Sequence, residues 1–192
     1  MSAFQQQERG LFIYPGHGWR RTFMRLPLIY WRLGLEPLLR RLHFLVLTTR
    51  GRRSGLPRHT MLEHSLLEGK VYVAPGWGQR TQWYLNVLSD PRVTVQRNGE
   101  TWGAVARIVT AETELSAIYS QARQISPVWK QYLASWGIED TLEDFLAKRD
   151  RVPALRLDRI EGQPPLPPLA CDLRWVWLVV AAFAGGIIYF YR

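Results

Sequence analysis

The dipeptide Asn98-Gly99 constrains this chain more than any other feature. Both residues accept the positive φ of a two-residue type I′ turn, and that turn joins antiparallel strands whose twist it matches. The flanking runs fit the demand. Arg92-Val-Thr-Val-Gln96 alternates apolar with polar residues, and Thr101–Val109 alternates back. A chain with one such hairpin has to bury one sheet face, so other strands are needed.

Four further runs supply them. Phe44-Leu-Val-Leu-Thr-Thr49 is short and apolar, as a buried strand is. Arg50–Pro57 is a turn dense in Gly and Arg, and Arg58–Leu66 returns from it. Glu68-Gly69 turns the chain into Val71–Ala74, and Pro153–Ile160 alternates as a last strand. Between them, Thr81–Ser89, Ala111–Arg123, Pro127–Trp136 and Thr141–Arg149 read as helices. Thr110 is placed to cap the second, with Glu112 and Glu114 in its first turn. About six short strands with hairpin links and a few helices predict an α+β chain built on a small antiparallel barrel.

Charge is segregated. The net charge of +9 lies wholly in residues 1–60, which hold eleven Arg, no Lys and only Glu8 and Glu36 as acids. Guanidinium forks suit phosphates and carboxylates, so an anionic partner is implied. No aromatics interleave with the Arg50–Arg58 run as they do in a base-stacking platform, and nucleic acid is not expected as a partner. The single Cys171 excludes an internal disulfide and a thiolate zinc cluster. No metal site is expected: the histidines are scattered, and His59 and His64, five apart, share neither a strand face nor a helix face.

The ends read differently from the middle. Trp175–Tyr191 is a 17-residue run without charge, flanked by Arg174 and Arg192, with Trp at one rim and Tyr at the other. That is the short end of a membrane span, which takes ~20 residues for a ~30 Å core. A single-pass C-terminal transmembrane helix at the cell membrane is expected, and the basic residues before it put the barrel on the cytoplasmic side. Four prolines in Gly162–Leu169 suggest an extended spacer. Residues 19–43 mix Arg with Trp, Phe and Leu, broken by Pro27 and Pro37. They fit a segment lying in a membrane interface on lipid headgroups, and equally a pair of helices capping the domain. The expected organisation is 1–43 basic amphipathic segment, 44–161 barrel, 162–171 Pro-rich linker and 172–192 anchor.

Two segments offer chemistry. In Thr48–Thr60, glycines expose backbone N–H groups, Arg52, Arg53 and Arg58 supply charge, and Ser54 and Thr60 supply hydroxyls, with His59 between. The pattern suits a phosphate cradle, while spacing alone slightly favours a surface turn with solvated arginines. In Ala74–Asn86, a strand ends at a Gly-flanked Trp77 and a helix then begins with Trp83 and Tyr84. Bare glycines beside aromatics admit a flat ring against the backbone, although aromatic core plugs give the same pattern.

Together these segments resemble the deazaflavin-dependent nitroreductase family. The resemblance is carried by Thr48-Thr49, Gly51-Arg52-Arg53-Ser54-Gly55, Pro57-Arg58, Gly76-Trp77-Gly78, Trp83-Tyr84-Leu85-Asn86 and Asp90-Pro91. It covers about residues 25–160 and implies a split β-barrel. It also implies reduced deazaflavin coenzyme F-420 as hydride donor, with FMN the alternative cofactor and a flavin-, heme- or lipid-binding split barrel without deazaflavin activity the alternative function. By position, Arg52, Arg53, Ser54, Arg58, His59 and Thr60 would hold the anionic tail. Ala74, Pro75, Gly76 and Trp77 would line the ring, and Trp83 and Asn86 would fix the loop and reach the cofactor. Trp129 and Tyr132 stand where members with nitroreductase activity carry a Tyr-rich stretch, which makes them the catalytic candidates. The implied substrate is a lipophilic small molecule such as a quinone or nitro compound. Split barrels of this kind can pair as a homodimer. On this reading Arg20, Arg21, Arg25, Arg32, Arg40 and Arg41 face headgroups or solvent, while Arg52, Arg53 and Arg58 grip one cofactor.

Overall fold

A computed structural model describes residues 26–39 and 43–190. Its strands are β1 (Phe44–Arg50), β2 (Pro57–Leu67), β3 (Lys70–Val73), β4 (Arg92–Arg97), β5 (Glu100–Ile108) and β6 (Leu155–Ile160). They close into an antiparallel barrel in the order β1-β2-β3-β6-β5-β4. Asn98 and Gly99 take φ values of 52° and 82°, as the type I′ turn requires, and fold β5 back on β4 with Val95 opposite Trp102.

Facing residues in an antiparallel pair share a side of the sheet. Leu45, Leu47, Val71, Val73, Val93, Val95, Leu155 and Leu157 thus converge inside the barrel. The helix α3 (Gln82–Ser89) adds Trp83, Tyr84 and Val87 to that interior. Fully burying one Leu or Val contributes about 1.5–3 kcal/mol relative to leaving it exposed. Leu45, Leu47, Val93, Val95 and Leu155 are all completely buried.

Strand β3 is buried on both faces. Val71 and Val73 point inward, while Tyr72 points out into a second core under α4 (Glu112–Ile125), α5 (Trp129–Ser135) and α6 (Leu142–Ala147). A polar anchor joins that helical layer to the barrel. The Tyr72 hydroxyl donates to Glu114 Oε1, Arg156 Nη1 donates to the same oxygen at 3.0 Å, and Arg156 grips Asp158 through two nitrogens. Burial and the Glu114 carboxylate push Tyr72 up to about 12. Burial opposes ionisation of Glu114, but the Tyr72 hydroxyl and Arg156 outweigh it and hold the carboxyl below its ordinary value. Thr110 does not cap α4. Ala111 takes that position without a side-chain bond.

The Pro-rich segment lies along the barrel. Thr94 Oγ1, fully buried, donates to Leu166 O at 2.7 Å and accepts from Leu166 N at 3.0 Å. Gln96 makes the equivalent pair with Leu169. Two side chains on β4 therefore bond the segment as a neighbouring strand's backbone would.

The expected membrane span is overturned. The terminal helix α7 (Val176–Phe190) has 15 residues, about 22 Å at 1.5 Å per residue against a ~30 Å hydrocarbon core. Among the described residues no helix is long and apolar enough to cross a membrane. The rim residues meant for the interface are used instead to dock the chain on α1 (Leu26–Arg32). Arg32 pairs with Asp172 through two nitrogens, at 2.7 and 2.6 Å, and Leu173 N donates to Arg32 O. Trp177 Nε1 donates to Leu33 O, and Arg174 packs on Gly34. A single-pass anchor at the cell membrane, and the cytoplasmic placement argued from it, fall with the span.

Pro27 and Pro37 stand in the first turns of α1 and of the four-residue α2 (Glu36–Leu39), where a missing N–H costs nothing. Trp31 buries its ring, and α1 packs on β2. Arg32, at the solvent-exposed surface, pairs with Asp172. Arg20, Arg21, Arg25, Arg40 and Arg41 lie outside the described residues.

Candidate functional site

The turn between β1 and β2 is closed by its own backbone. Gly51 N donates to Leu56 O at 2.8 Å, and Gly55 N donates to Gly51 O at 2.7 Å. Gly55 takes φ +68°, which a side chain would strain, and a Cβ built there would meet no atom within 4 Å. Gly51 is the opposite case, because a Cβ would press on Ser54 Oγ and the Leu56 carbonyl.

The turn's side chains divide in two. Arg52 is tied inward: its backbone N–H and Nη1 both reach Asn86 Oδ1 at 3.2 Å, and its guanidinium also donates to Gln82 Oε1 at 3.1 Å. Arg53, Ser54 and Arg58 are exposed. Arg58 Nη2 donates to Ser54 Oγ at 3.2 Å, while Arg53 has no protein partner among the described residues. Of the expected cradle, Arg53, Ser54 and Arg58 thus stand together at the surface. His59 and Thr60 diverge from each other. Thr60 faces Leu47 across the β1–β2 pair and points inward, while His59 points outward with Nδ1 2.9 Å from Thr48 Oγ1. Burial lowers the His59 imidazole below its ordinary value.

Asn86 and Trp83 are placed as scaffold. Asn86 is buried, and its Nδ2 donates to the fully buried Thr49 Oγ1 while Oδ1 holds Arg52. One amide thereby locks the end of β1, the start of the Arg turn and α3 together. Trp83 packs in the barrel interior, edge-on to Tyr84.

The loop after β3 is the second element. Ala74 is exposed, Pro75 is buried, and Gly76 and Trp77 are half-buried. A Cβ on Gly76 would meet nothing within 4 Å, so its backbone has bare space beside it. Gly78, at φ +61°, turns the chain into the short 3-10 turn Gly78–Arg80, and its N–H donates to Pro75 O at 2.8 Å. Thr81 Oγ1 then donates to Gly78 O at 2.8 Å.

Trp129 and Tyr132 belong to the helical layer. Both are buried in the second core with Tyr119 and Phe145. The Tyr132 hydroxyl donates to Pro75 O at 3.3 Å, and burial pushes its pKa up. Neither ring forms part of an open surface. Three interactions escaped the sequence reading: Gln82 on Arg52, Trp136 over Gly78, and Gln79 Nε2 donating to Asp150 O. Only Gly78 carried a signal, as a glycine in a turn; its partner is 58 positions on.

The profile of the F420H(2)-dependent quinone reductase family matches residues 34–138, more than half of the chain. Among solved structures the chain is similar to an F420-H2 dependent reductase (FDR-A), at 22% identity and a TM-score of 0.47, covering 61% of this chain and 95% of that one. It is similar to a structure described as a domain-swapped dimer, at 21% identity and a TM-score of 0.47, covering 69% and 99%. It is also similar to the heme storage protein HutZ from Vibrio cholerae, at 16% identity and a TM-score of 0.44, covering 71% and 90%. At these TM-scores the structural likenesses carry no weight.

Proposed function

The chain belongs to the F420H(2)-dependent quinone reductase family, and from that premise we propose how its residues divide the work. It is an oxidoreductase that depends on reduced coenzyme F-420. The acceptor, on our reading, is a flat lipophilic compound of the quinone class. Bound F-420 supplies a hydride; the protein supplies binding and orientation.

The fit of the cofactor rests on the two open glycines. Gly55 stands beside the exposed Arg53, Ser54 and Arg58, which suit the anionic tail through charge-assisted hydrogen bonds. Gly76 leaves backbone bare between Ala74 and Trp77, where a flat ring can lie in contact with the chain. The exposed Leu56 and half-buried Trp77 offer apolar surface to the acceptor. Arg52, Trp83 and Asn86 keep the turn in shape. His59 and Thr60 point away from each other, so at most one of them touches the tail. Trp129 and Tyr132 stay in the scaffold, and water at the exposed rim delivers the proton that completes the reduction. The pairing of the Arg turn with bare Gly76, inside the matched segment, carries this reading.

The test is direct. Purified protein is titrated with reduced F-420 by its fluorescence, then mixed with a soluble short-chain quinone. Saturable binding at micromolar concentration and quinone-dependent oxidation are expected. Binding of FMN with none of F-420 would overturn the reading.

A further inference from the structure

The loop that offers Gly76 is braced by the helical layer. Tyr132 and Trp136 at the end of α5, and Asp150 beyond α6, each touch it: the phenol at Pro75 O, the indole over Gly78, and the Asp150 carbonyl at Gln79. The indole contact leaves no room for a side chain. A Cβ on Gly78 would come within 2.8 Å of Trp136 Cζ2 and nearer still to Cη2, so the ring rests on bare glycine backbone. Trp136 itself is fixed. Its N–H donates to Leu133 O at 2.9 Å, and its carbonyl accepts from Arg151 Nη1 at 3.0 Å. Its Nε1 is buried with no hydrogen-bond partner. The side chain therefore acts through the face and edge of its ring and not through a polar bond.

We infer that Trp136 is a positioning residue for the reduction: its indole, seated on Gly78, sets the Ala74–Trp77 backbone against which the cofactor ring is oriented. The inference rests on the reading above, in which the ring lies at Gly76. The Arg turn is held separately, through Asn86 and Thr49, so the anionic tail keeps its grip when the indole is removed. Affinity and orientation then come apart. Removing a side chain that only orients lowers kcat, since a reacting geometry is lost, while leaving ground-state binding nearly intact.

Three variants test this. Trp136→Ala should lower kcat for quinone reduction about tenfold with the Kd for reduced F-420 within about threefold of wild type. Trp136→Phe keeps an aromatic side chain and forfeits no hydrogen bond but ends short of the outer indole edge that meets Gly78, so its kcat should lie between those of Trp136→Ala and wild type. Gly78→Ala should lower Tm, and the same change should cost less in the Trp136→Ala background, because the clash is gone and only the strain of φ +61° remains. An unchanged kcat in Trp136→Ala, a parallel loss of kcat and affinity that Trp136→Phe does not rescue, or additive Tm losses would each overturn the inference while the F-420 reading stands. Failure of wild-type protein to bind F-420 would take down both.

Discussion

Two loops present open glycines, and they are anchored to different parts of the molecule. The Arg50–Pro57 turn is tied from within: its own backbone closes it, and the buried Asn86 pins it to the barrel's interior cap. The loop after β3 is closed by its own backbone too, Gly78 N to Pro75 O, but it also leans on a helical layer that forms a separate core. A turn tied to the barrel is as stable as the barrel. A loop tied to an outer layer inherits whatever loosens that layer. On the proposed reading, the first grips a charged tail and the second orients a ring, so damage to one should appear in Kd and damage to the other in kcat.

The largest effect should come from Asn86→Ala. It strips the bonds to Thr49 and Arg52 and leaves the fully buried Thr49 hydroxyl without that donor. A loss of about 2–4 kcal/mol in unfolding free energy is expected by urea denaturation, along with weakened F-420 binding. A loss below about 1 kcal/mol would break the claim that one amide secures the turn.

Next come Arg53→Ala and Arg58→Ala. Both side chains are exposed, so stability should hold. F-420 affinity should drop by about 1.5–3 kcal/mol, some 10- to 150-fold, for each charge-assisted hydrogen bond removed. The kcat at saturation should be unchanged. Arg52→Ala should act through stability instead, because its guanidinium already serves Gln82 and Asn86. A lower kcat with unaltered Kd in Arg53→Ala would reverse the assignment of the two loops.

The contrast also explains what the sequence could and could not reveal. Strand alternation and Asn98-Gly99 were legible because period two and a positive φ are local demands. The barrel order was not, since β6 enters between β3 and β5 from more than 40 residues beyond β5. The exposure of Arg53, Ser54 and Arg58 was legible because charged and polar residues in a Gly-rich turn face water. Trp129 and Tyr132 read as site aromatics, yet an aromatic pattern looks the same whether it faces a ligand or a second core. The 17-residue apolar run misled for a related reason. Hydropathy does not register that Asp172, Leu173 and Trp177 meet partners on and just after α1.

A smaller effect separates fold from function at Gly76. Its neighbourhood is empty and its φ is not positive. Alanine there should leave stability unchanged or raise it by about 0.5 kcal/mol, by restricting the unfolded chain. The added methyl would nevertheless stand where the ring is proposed to lie, and kcat/KM should fall about fivefold, a little under 1 kcal/mol. Full activity in Gly76→Ala would move the ring elsewhere, and with it the meaning of the brace at Gly78.

The smallest effect concerns the joint between the outer layer and the barrel, where Glu114 accepts from Tyr72 and Arg156. The folded carboxyl lies below its ordinary value near 4.5. As pH falls through that value the unfolded chain takes up the proton first, so the stabilisation present above it drains away and is gone below the folded pKa. Tyr72 acts in the opposite window. Raised to about 12, it keeps its proton while the unfolded chain loses its own from near 10, and stability declines between those values. Glu114 is partly exposed, so the acid loss should be within about 1 kcal/mol. Glu114→Gln should lessen the acid slope of Tm, to which Asp90 also contributes, and only shrink the alkaline one, because burial, which leads the Tyr72 shift, remains. Since this joint carries the layer that braces the loop after β3, acidification should lower kcat before it weakens F-420 binding. Melting curves and kinetics between about pH 3.5 and 5 decide it, within roughly one unit of that carboxylate pKa. An acid slope in Glu114→Gln as steep as in the wild type would show that the outer layer is tied down by something other than this carboxylate.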